Sequence, residues 1–294
     1  MDNQNESIVK NLIFSGGSIA GLLFYGAIKE LHNQKVWDIE NIEKMYSTSV
    51  GSVLSLSLSL KYSWDEIDNF IIKRPWQRVF KLDLVSIFNS VEKVGIFNVQ
   101  CFHECFDTLL LGKGLETNIT MKQLYEFTNI ENHFICTDFN NMSIVDVSYK
   151  TYPDFPVIDA IYGSCCLPII FKPVSYNNMQ LCDGGLTCNF PIELGLKESL
   201  PEETIVIGLD SKYAKYDEKD NLFSYLFTLS LNVLKSINIQ KRYDNLKSQV
   251  YFDPNVINLD NSIQSVHDPE RRKELIEQGV NKVKELIDYT PTEG

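Results

Sequence analysis

The chain has 294 residues, 44% of them hydrophobic, which is enough to bury a full core and gives no compositional sign of disorder. Its formal net charge of −12 opposes long-range attraction to nucleic acid or to anionic lipid, so nucleic-acid binding is excluded as the organising function and any membrane contact must be local. The start, Met-Asp-Asn-Gln-Asn-Glu, lacks the basic segment and apolar core of a secretory signal, and seven cysteines, two of them adjacent at Cys165 and Cys166, suit free thiols in a reducing compartment; a cytoplasmic protein is expected.

Ile8–Phe14 reads as a buried first strand that runs into Ser15-Gly16-Gly17-Ser18-Ile19-Ala20-Gly21, after which Gly21–Leu31 has helical periodicity. Gly16, Gly17 and Ser18 can turn several backbone N–H groups into one concavity at a helix N-terminus, where the dipole favours an anion. Such a turn suits an oxyanion hole, a phosphate or dinucleotide loop, or a plain tight turn. A dinucleotide loop calls for an acidic residue at the end of the second strand, and a Walker-type loop needs a following Gly-Lys-Ser/Thr; neither is present.

Ile42–Tyr46 is the next expected strand, and it leads into Ser47-Thr48-Ser49-Val50-Gly51. Small residues two before and two after Ser49 allow the strained strand-to-helix turn on which a serine nucleophile is exposed. The following stretch, Val53–Leu60, alternates apolar and polar residues with period two, a strand pattern. A helix from Val50 to about Lys61 is nevertheless expected, because an elbow at Ser49 requires one and leucines with small serines on all sides can be buried against a sheet. The resulting β-α-β-α order predicts an α/β protein with a mainly parallel sheet.

Lys73–Lys81 combines four cations with Trp76 and Phe80, which suits either a solvated face with the aromatics tucked into the core or a lipid interface. Cys101-Phe-His103-Glu-Cys105 lacks a second ligand pair at metal-site spacing and is read as a partly buried helix face. Asn132–Thr137 and Ser143–Ser148 are expected as paired strands joined by the polar turn at 138–141, and Glu203–Leu209 as another buried strand. Leu222–Ile239 is apolar but interrupted by Ser, Thr, Asn and Lys, so it is expected to cover the sheet rather than to span a bilayer, with lipid contact the other possible use. Pro269–Ile287 reads as a charged amphipathic helix followed by a polar tail.

Between these last elements lies Asp183-Gly184-Gly185, after the apolar lead Met179–Cys182, which would put a carboxylate at a strand end where it can act as a general base. A serine hydroxyl needs such a base and preorganised donors for the oxyanion it generates. Glycine turn, serine elbow and Asp-Gly-Gly, in this order, resemble the patatin-like phospholipase family. The segment Ala160-Ile-Tyr-Gly-Ser164-Cys-Cys-Leu-Pro168-Ile-Ile-Phe171-Lys-Pro173 also resembles that family's Ala-Ser-x-x-x-Pro-x-x-Phe-x-Pro element.

The resemblance implies a three-layer α/β/α fold and a lipid acyl hydrolase of phospholipase A type working in lipid degradation at membrane surfaces. It implies a Ser49–Asp183 dyad, an oxyanion hole at Gly16, Gly17 and Ser18, supporting roles for Gly21, Ser47, Gly51, Gly184 and Gly185, and no metal or cofactor. The family domain is expected over residues 8–255, with a polar lead at 1–7 and a closing helix and tail at 256–294 packed on it. Three positions depart from the pattern: Ser18 replaces a glycine, Ala20 a cation and Ser47 the first elbow glycine. Two alternatives stand beside this reading. One is a catalytically silent lipid- or protein-binding module; the other is a Ser-His-acid esterase using His267, in a polar stretch expected to be an exposed turn.

Overall fold

The computed structural model describes residues 7–80, 95–168, 170–215 and 243–288, together with Tyr225, Thr228, Leu229, Asn232, Val233 and Ser236. Eight strands form one sheet: β1 (Asn11–Phe14), β2 (Lys44–Thr48), β3 (Glu131–Asp138), β4 (Ser143–Val147), β5 (Val174–Tyr176), β6 (Met179–Asp183), β7 (Thr204–Leu209) and β8 (Ser248–Phe252). The pairs β1–β2, β1–β7, β2–β3 and β7–β8 are parallel, whereas β3–β4, β3–β6 and β5–β6 are antiparallel. The sheet is therefore mixed but mostly parallel, with helices on both faces.

The side-chain alternation of the central strands explains that layering. Leu12 and Phe14 of β1, Met45 of β2, and Ile205 and Ile207 of β7 enter one core, while Ile13, Tyr46 and Val206 enter a separate cluster on the opposite face. The first core is covered by α1 (Gly21–Asn33) and by the last helix, α9 (Pro269–Asp288). These two helices touch backbone to backbone: a Cβ on Gly26 would run into the carbonyl oxygen of Ile276, and one on Gly279 into that of Leu23. The buried Arg272 of α9 then ties in α3 (Trp64–Lys73) and α8 (Leu259–His267), donating to the carbonyls of Ile72 at 2.6 Å and Ser265 at 2.6 Å.

The period-two segment is helical, α2 (Val50–Ser59). Alternation of leucine with serine produces two i,i+4 leucine pairs: Leu54 and Leu58 pack into the core under α1, whereas Leu56 and Leu60 pack into a second core with α4 (Gln100–Leu111) and α6 (Val157–Cys165). Serine hydroxyls between them bond back to the helix, Ser57 to Val53 O at 2.8 Å and Ser59 to Leu56 O at 3.1 Å. A helix buried on two sides thus carries a strand-like sequence.

The first strand starts at Asn11 rather than Ile8, whose side chain is exposed, and the second runs Lys44–Thr48 rather than Ile42–Tyr46, so it reaches the elbow without a break. The paired strands around 138–141 form the antiparallel β3–β4 hairpin. Cys101 and Cys105 are buried on the inner face of α4, while His103 on its flank lies 2.8 Å from Asp107 and 3.3 Å from Asp159. The apolar segment at 222–239 falls almost wholly outside the described residues, as do the polar lead at 1–6, Lys81 and the tail at 289–294. Among the described residues no helix is long and apolar enough to cross a membrane.

Candidate active site

Along one edge of β3, β2 and β6 meet end to end. Residues of β3 have only two lateral neighbours, and β4 takes one side of Phe134 to Asp138; β2 and β6 therefore share the other, Thr48 opposite Ile135 and Asp183 opposite Cys136. The chain leaves β2 at Ser49 and leaves β6 at Asp183, and the two side chains converge: Ser49 Oγ donates to Asp183 Oδ2 at 2.7 Å.

Ser49 holds φ 55° and ψ −127°, a conformation rarely adopted by a residue with a side chain, as an elbow requires. Three neighbours hold it there. Gly51 lets α2 close on β1, since a Cβ would press on Phe14 and the Ser15 carbonyl. Ser47, buried in β2, places its hydroxyl 3.3 Å from the His133 carbonyl and 3.4 Å from Ser52 Oγ, filling the space a glycine would leave. The Ser49 N–H itself donates to Ser164 Oγ at 2.9 Å, and Ser164 donates onward to Ile135 O at 2.7 Å, with the Ser52 hydroxyl 2.9 Å away. Ser164 lies in the Ala160–Pro173 segment, but nothing in its immediate sequence marks this contact.

Asp183 is the last residue of β6, only 5% exposed. Its second oxygen, Oδ1, accepts from the Gly185 N–H at 2.7 Å, and Thr137 Oγ1 donates to its carbonyl at 3.0 Å. Gly184 is required by close approach, because a Cβ there would run into the Ile135 carbonyl oxygen. Burial pushes the carboxyl up to about 6, against the opposing pull of the Gly185 N–H and the Ser49 hydroxyl. A carboxylate with that proton affinity, in contact with a hydroxyl, can take its proton near neutral pH.

The glycine turn lies beside Ser49, with Gly21 opening α1 against Val50. Its donors are not equivalent. Gly16 donates its N–H to Asn189 O at 2.9 Å, so the expectation that Gly16, Gly17 and Ser18 all face the cleft holds for two at most. The Gly17 and Ser18 N–H groups have no acceptor among the described residues. Ser18 has φ 48°, so the position does require the left-handed region that glycine normally supplies. Ala20, where a cation was expected in the motif, is fully buried.

A cavity of about 1310 Å³ opens onto Ser49 and Asp183. Its apolar wall includes Phe70, Trp76, Phe80, Phe102, Phe106 and Phe171. Trp76 and Phe80 thus belong to the cleft rather than to an exposed lipid interface: the Trp76 indole donates to Ile71 O at 2.8 Å and its ring is edge-on to Phe70 at 5.5 Å. Arg74, the cation beside them, lies over the same two rings, 5.2 Å from Phe70 and 5.6 Å from Trp76.

His267 is the exposed last residue of α8, on the rim of this cavity rather than in a turn. The other histidines are engaged elsewhere: His32 accepts from Trp64 Nε1 at 3.1 Å, His103 faces Asp107 and Asp159, and His133 is 2.8 Å from Asp146.

A family model described as patatin-like phospholipase matches residues 12–196. Over 300 residues the chain is 28% identical to the uncharacterized protein R571 of Acanthamoeba polyphaga mimivirus, covering 96% of this chain and 95% of that one. Over 231 residues it is 26% identical to the probable lipid hydrolase 463L of Invertebrate iridescent virus 6, covering 76% and 77%. Among solved structures, VipD from Legionella pneumophila superposes with a TM-score of 0.55 at 14% identity, over 95% of this chain and 67% of that one, a likeness of fold.

Proposed function

The chain belongs to the patatin-like phospholipase family, and from that membership we propose that it is a lipid acyl hydrolase in which Ser49 is the nucleophile and Asp183 its base. The observation that carries the reading is the 2.7 Å bond from Ser49 Oγ to a buried carboxylate of raised proton affinity, at the floor of an apolar cavity.

Ser49 Oγ attacks the acyl carbonyl carbon as its proton passes to Asp183 Oδ2. The oxyanion is met by the N–H groups of Gly17 and Ser18, while Gly16 holds the turn against Asn189. Collapse breaks the ester bond, and Asp183 returns the proton to the departing alcohol oxygen. Water, deprotonated by Asp183, then hydrolyses the acyl-enzyme and Ser49 recovers its proton. Positioned proton transfer contributes roughly 10²–10⁴-fold, and each oxyanion donor about 10²–10³-fold. The aromatic wall of the cavity takes the acyl chain. The hydrolase unit comprises residues 8–255 with α9 packed onto it, and its substrates are acyl lipids at a lipid surface.

The test is mass-spectrometric mapping of a fluorophosphonate probe, followed by product analysis on a mixed lipid panel. Label on Ser49 and free fatty acid that disappears in Ser49→Ala are expected. Label elsewhere, or undiminished turnover by Ser49→Ala, would overturn the assignment.

A further inference from the structure

We propose that the tip of the β3–β4 hairpin is the element that docks this protein on a lipid surface, and that the surface it fits is uncharged or zwitterionic. The proposal rests on the hydrolase reading for its choice of occupant. It begins from an exposure that the core does not explain: Phe139 is 55% exposed, Met142 53% and Ile144 46%, all within one short hairpin. Residues 139–145 include no Asp, Glu, Lys or Arg.

The tip is built. Asp138 accepts from the Asn140 N–H at 3.2 Å, from Asn141 Nδ2 at 2.5 Å and from the Gln180 N–H at 3.3 Å, and Phe139 donates its own N–H to Gln180 O at 2.8 Å. Met142 takes φ 48° to close the turn, and Ser143 pairs with Asp138. The apolar side chains are therefore held out on a fixed support, so their burial in another phase costs little further ordering.

Position supplies the occupant. β3 runs parallel to β2, so the hairpin projects from the sheet edge at which Ser49 stands. Ile144 lines the cleft as well as being exposed, and it lies opposite Thr137, whose hydroxyl bonds the Asp183 carbonyl. Tyr213 and Ile263, 57% and 40% exposed, line the same cleft. The apolar tip is thus continuous with the mouth of the cavity, and a substrate leaving a lipid phase would enter past it. The net charge of −12 repels an anionic surface, and an uncharged tip has nothing to set against that repulsion.

Flotation with phosphatidylcholine vesicles tests this in the Ser49→Ala protein, which leaves the lipid intact. Binding that is insensitive to salt is expected, and Phe139→Asn/Met142→Asn should weaken it on the order of tenfold; asparagine also tolerates the left-handed turn at position 142. Phe139→Ser alone should give a smaller loss in the same direction, which guards against a folding defect in the double variant. Phosphatidylserine in the vesicles should weaken binding at low salt. With Ser49 restored, the double variant should lose vesicle hydrolysis while keeping turnover of a dissolved short-chain ester.

Unchanged vesicle binding by the double variant would overturn the proposal, as would stronger binding to phosphatidylserine. Dissociation of a dimer by the same substitutions, seen in sedimentation, would assign the patch to a second copy and also overturn it. A protein that docks but hydrolyses no ester would refute the Ser49 assignment and leave the docking surface standing.

Discussion

The backbone N–H of Ser49 is donated to the hydroxyl of Ser164, 115 residues further along the chain, and the same hydroxyl donates to Ile135 of β3. One side chain on α6 thereby fixes the elbow to the strand that also aligns Asp183. Ser164→Ala leaves the Ser49 N–H without its acceptor and lets the turn relax. A fall in kcat of roughly 10–100-fold with little change in KM is expected, since small misplacements of a reacting group carry losses of that size. Ser164→Thr, which keeps the hydroxyl, should recover part of it. Kinetics on a dissolved ester check this, and a rise in KM at constant kcat would contradict it.

In the mechanism proposed above, Asp183 must be ionised to accept the Ser49 proton. With burial raising its carboxyl to about 6, kcat/KM should climb through an apparent pKa near that value and level off above it. Asp183→Asn should abolish the rise along with most turnover. A pH–rate profile with its limb near 4 would contradict the buried carboxylate.

The same shift has a consequence for stability. The folded state holds this proton more tightly than an unfolded aspartic acid with its ordinary value of 3.8. Stability therefore falls as pH rises from about 4 to 6, and the charged carboxylate remains a burden above that. Asp183→Asn should raise the unfolding free energy at pH 8 by roughly 1–3 kcal/mol, the linkage value for such a shift. Near pH 3 wild type and variant should converge. Chemical denaturation at the two pH values measures the difference.

Ser18 sits in the left-handed region with φ 48°. Glycine adopts this conformation freely but gains entropy in the unfolded chain, so Ser18→Gly should stabilise by only about 0.5–1 kcal/mol. A rise in Tm of about 1–2 °C with undiminished turnover is expected. Ser18→Val, β-branched in a position hostile to it, should lower both.

Arg272 is 3% exposed, and its guanidinium donates to carbonyls at the end of α3 and in the last turn of α8, Ile72 at 2.6 Å and Ser265 at 2.6 Å. Arg272→Ala strands those acceptors in the interior and should cost about 2–4 kcal/mol. Lysine offers a point charge in place of a planar fork and should restore only part of the loss. Denaturation midpoints of the two variants separate these effects.

The elbow, the glycine turn and Asp183-Gly184-Gly185 were legible because each is a local solution to a local constraint. A serine on a strained strand-to-helix turn needs small neighbours, and Ser47 and Gly51 supply them. An aspartate ending a strand needs residues that let the chain turn beneath a neighbour, and Gly184 does so under Ile135. The α2 segment was legible only through that argument, since its own alternation points to a strand. Its two leucine pairs acquire meaning once there are two cores to enter.

Trp76 and Phe80 were not legible in the same way. Aromatics among cations suit a lipid interface or a core edge, and the packing of Trp76 on Phe70 and Phe106, and of Phe80 on Trp76 and Phe97, places the half-buried pair in the wall of the cleft. The apolar residues of the β3–β4 tip carried no signal, because three such side chains in a turn are unremarkable until the turn is placed beside the cleft.

By itself the sequence determined the order and type of the main elements and the family to which they belong, because strand, helix and turn preferences act over a few residues. Tertiary structure alone decided which groups meet. Ser49 and Asp183 lie 134 residues apart and converge because β2 and β6 abut along one edge of β3. Gly16 loses its N–H to Asn189, leaving Gly17 and Ser18 as the donors of the turn. A hydrogen bond is directional and short, so pairing across such distances is fixed by the sheet register and not by any pattern within the segments it joins.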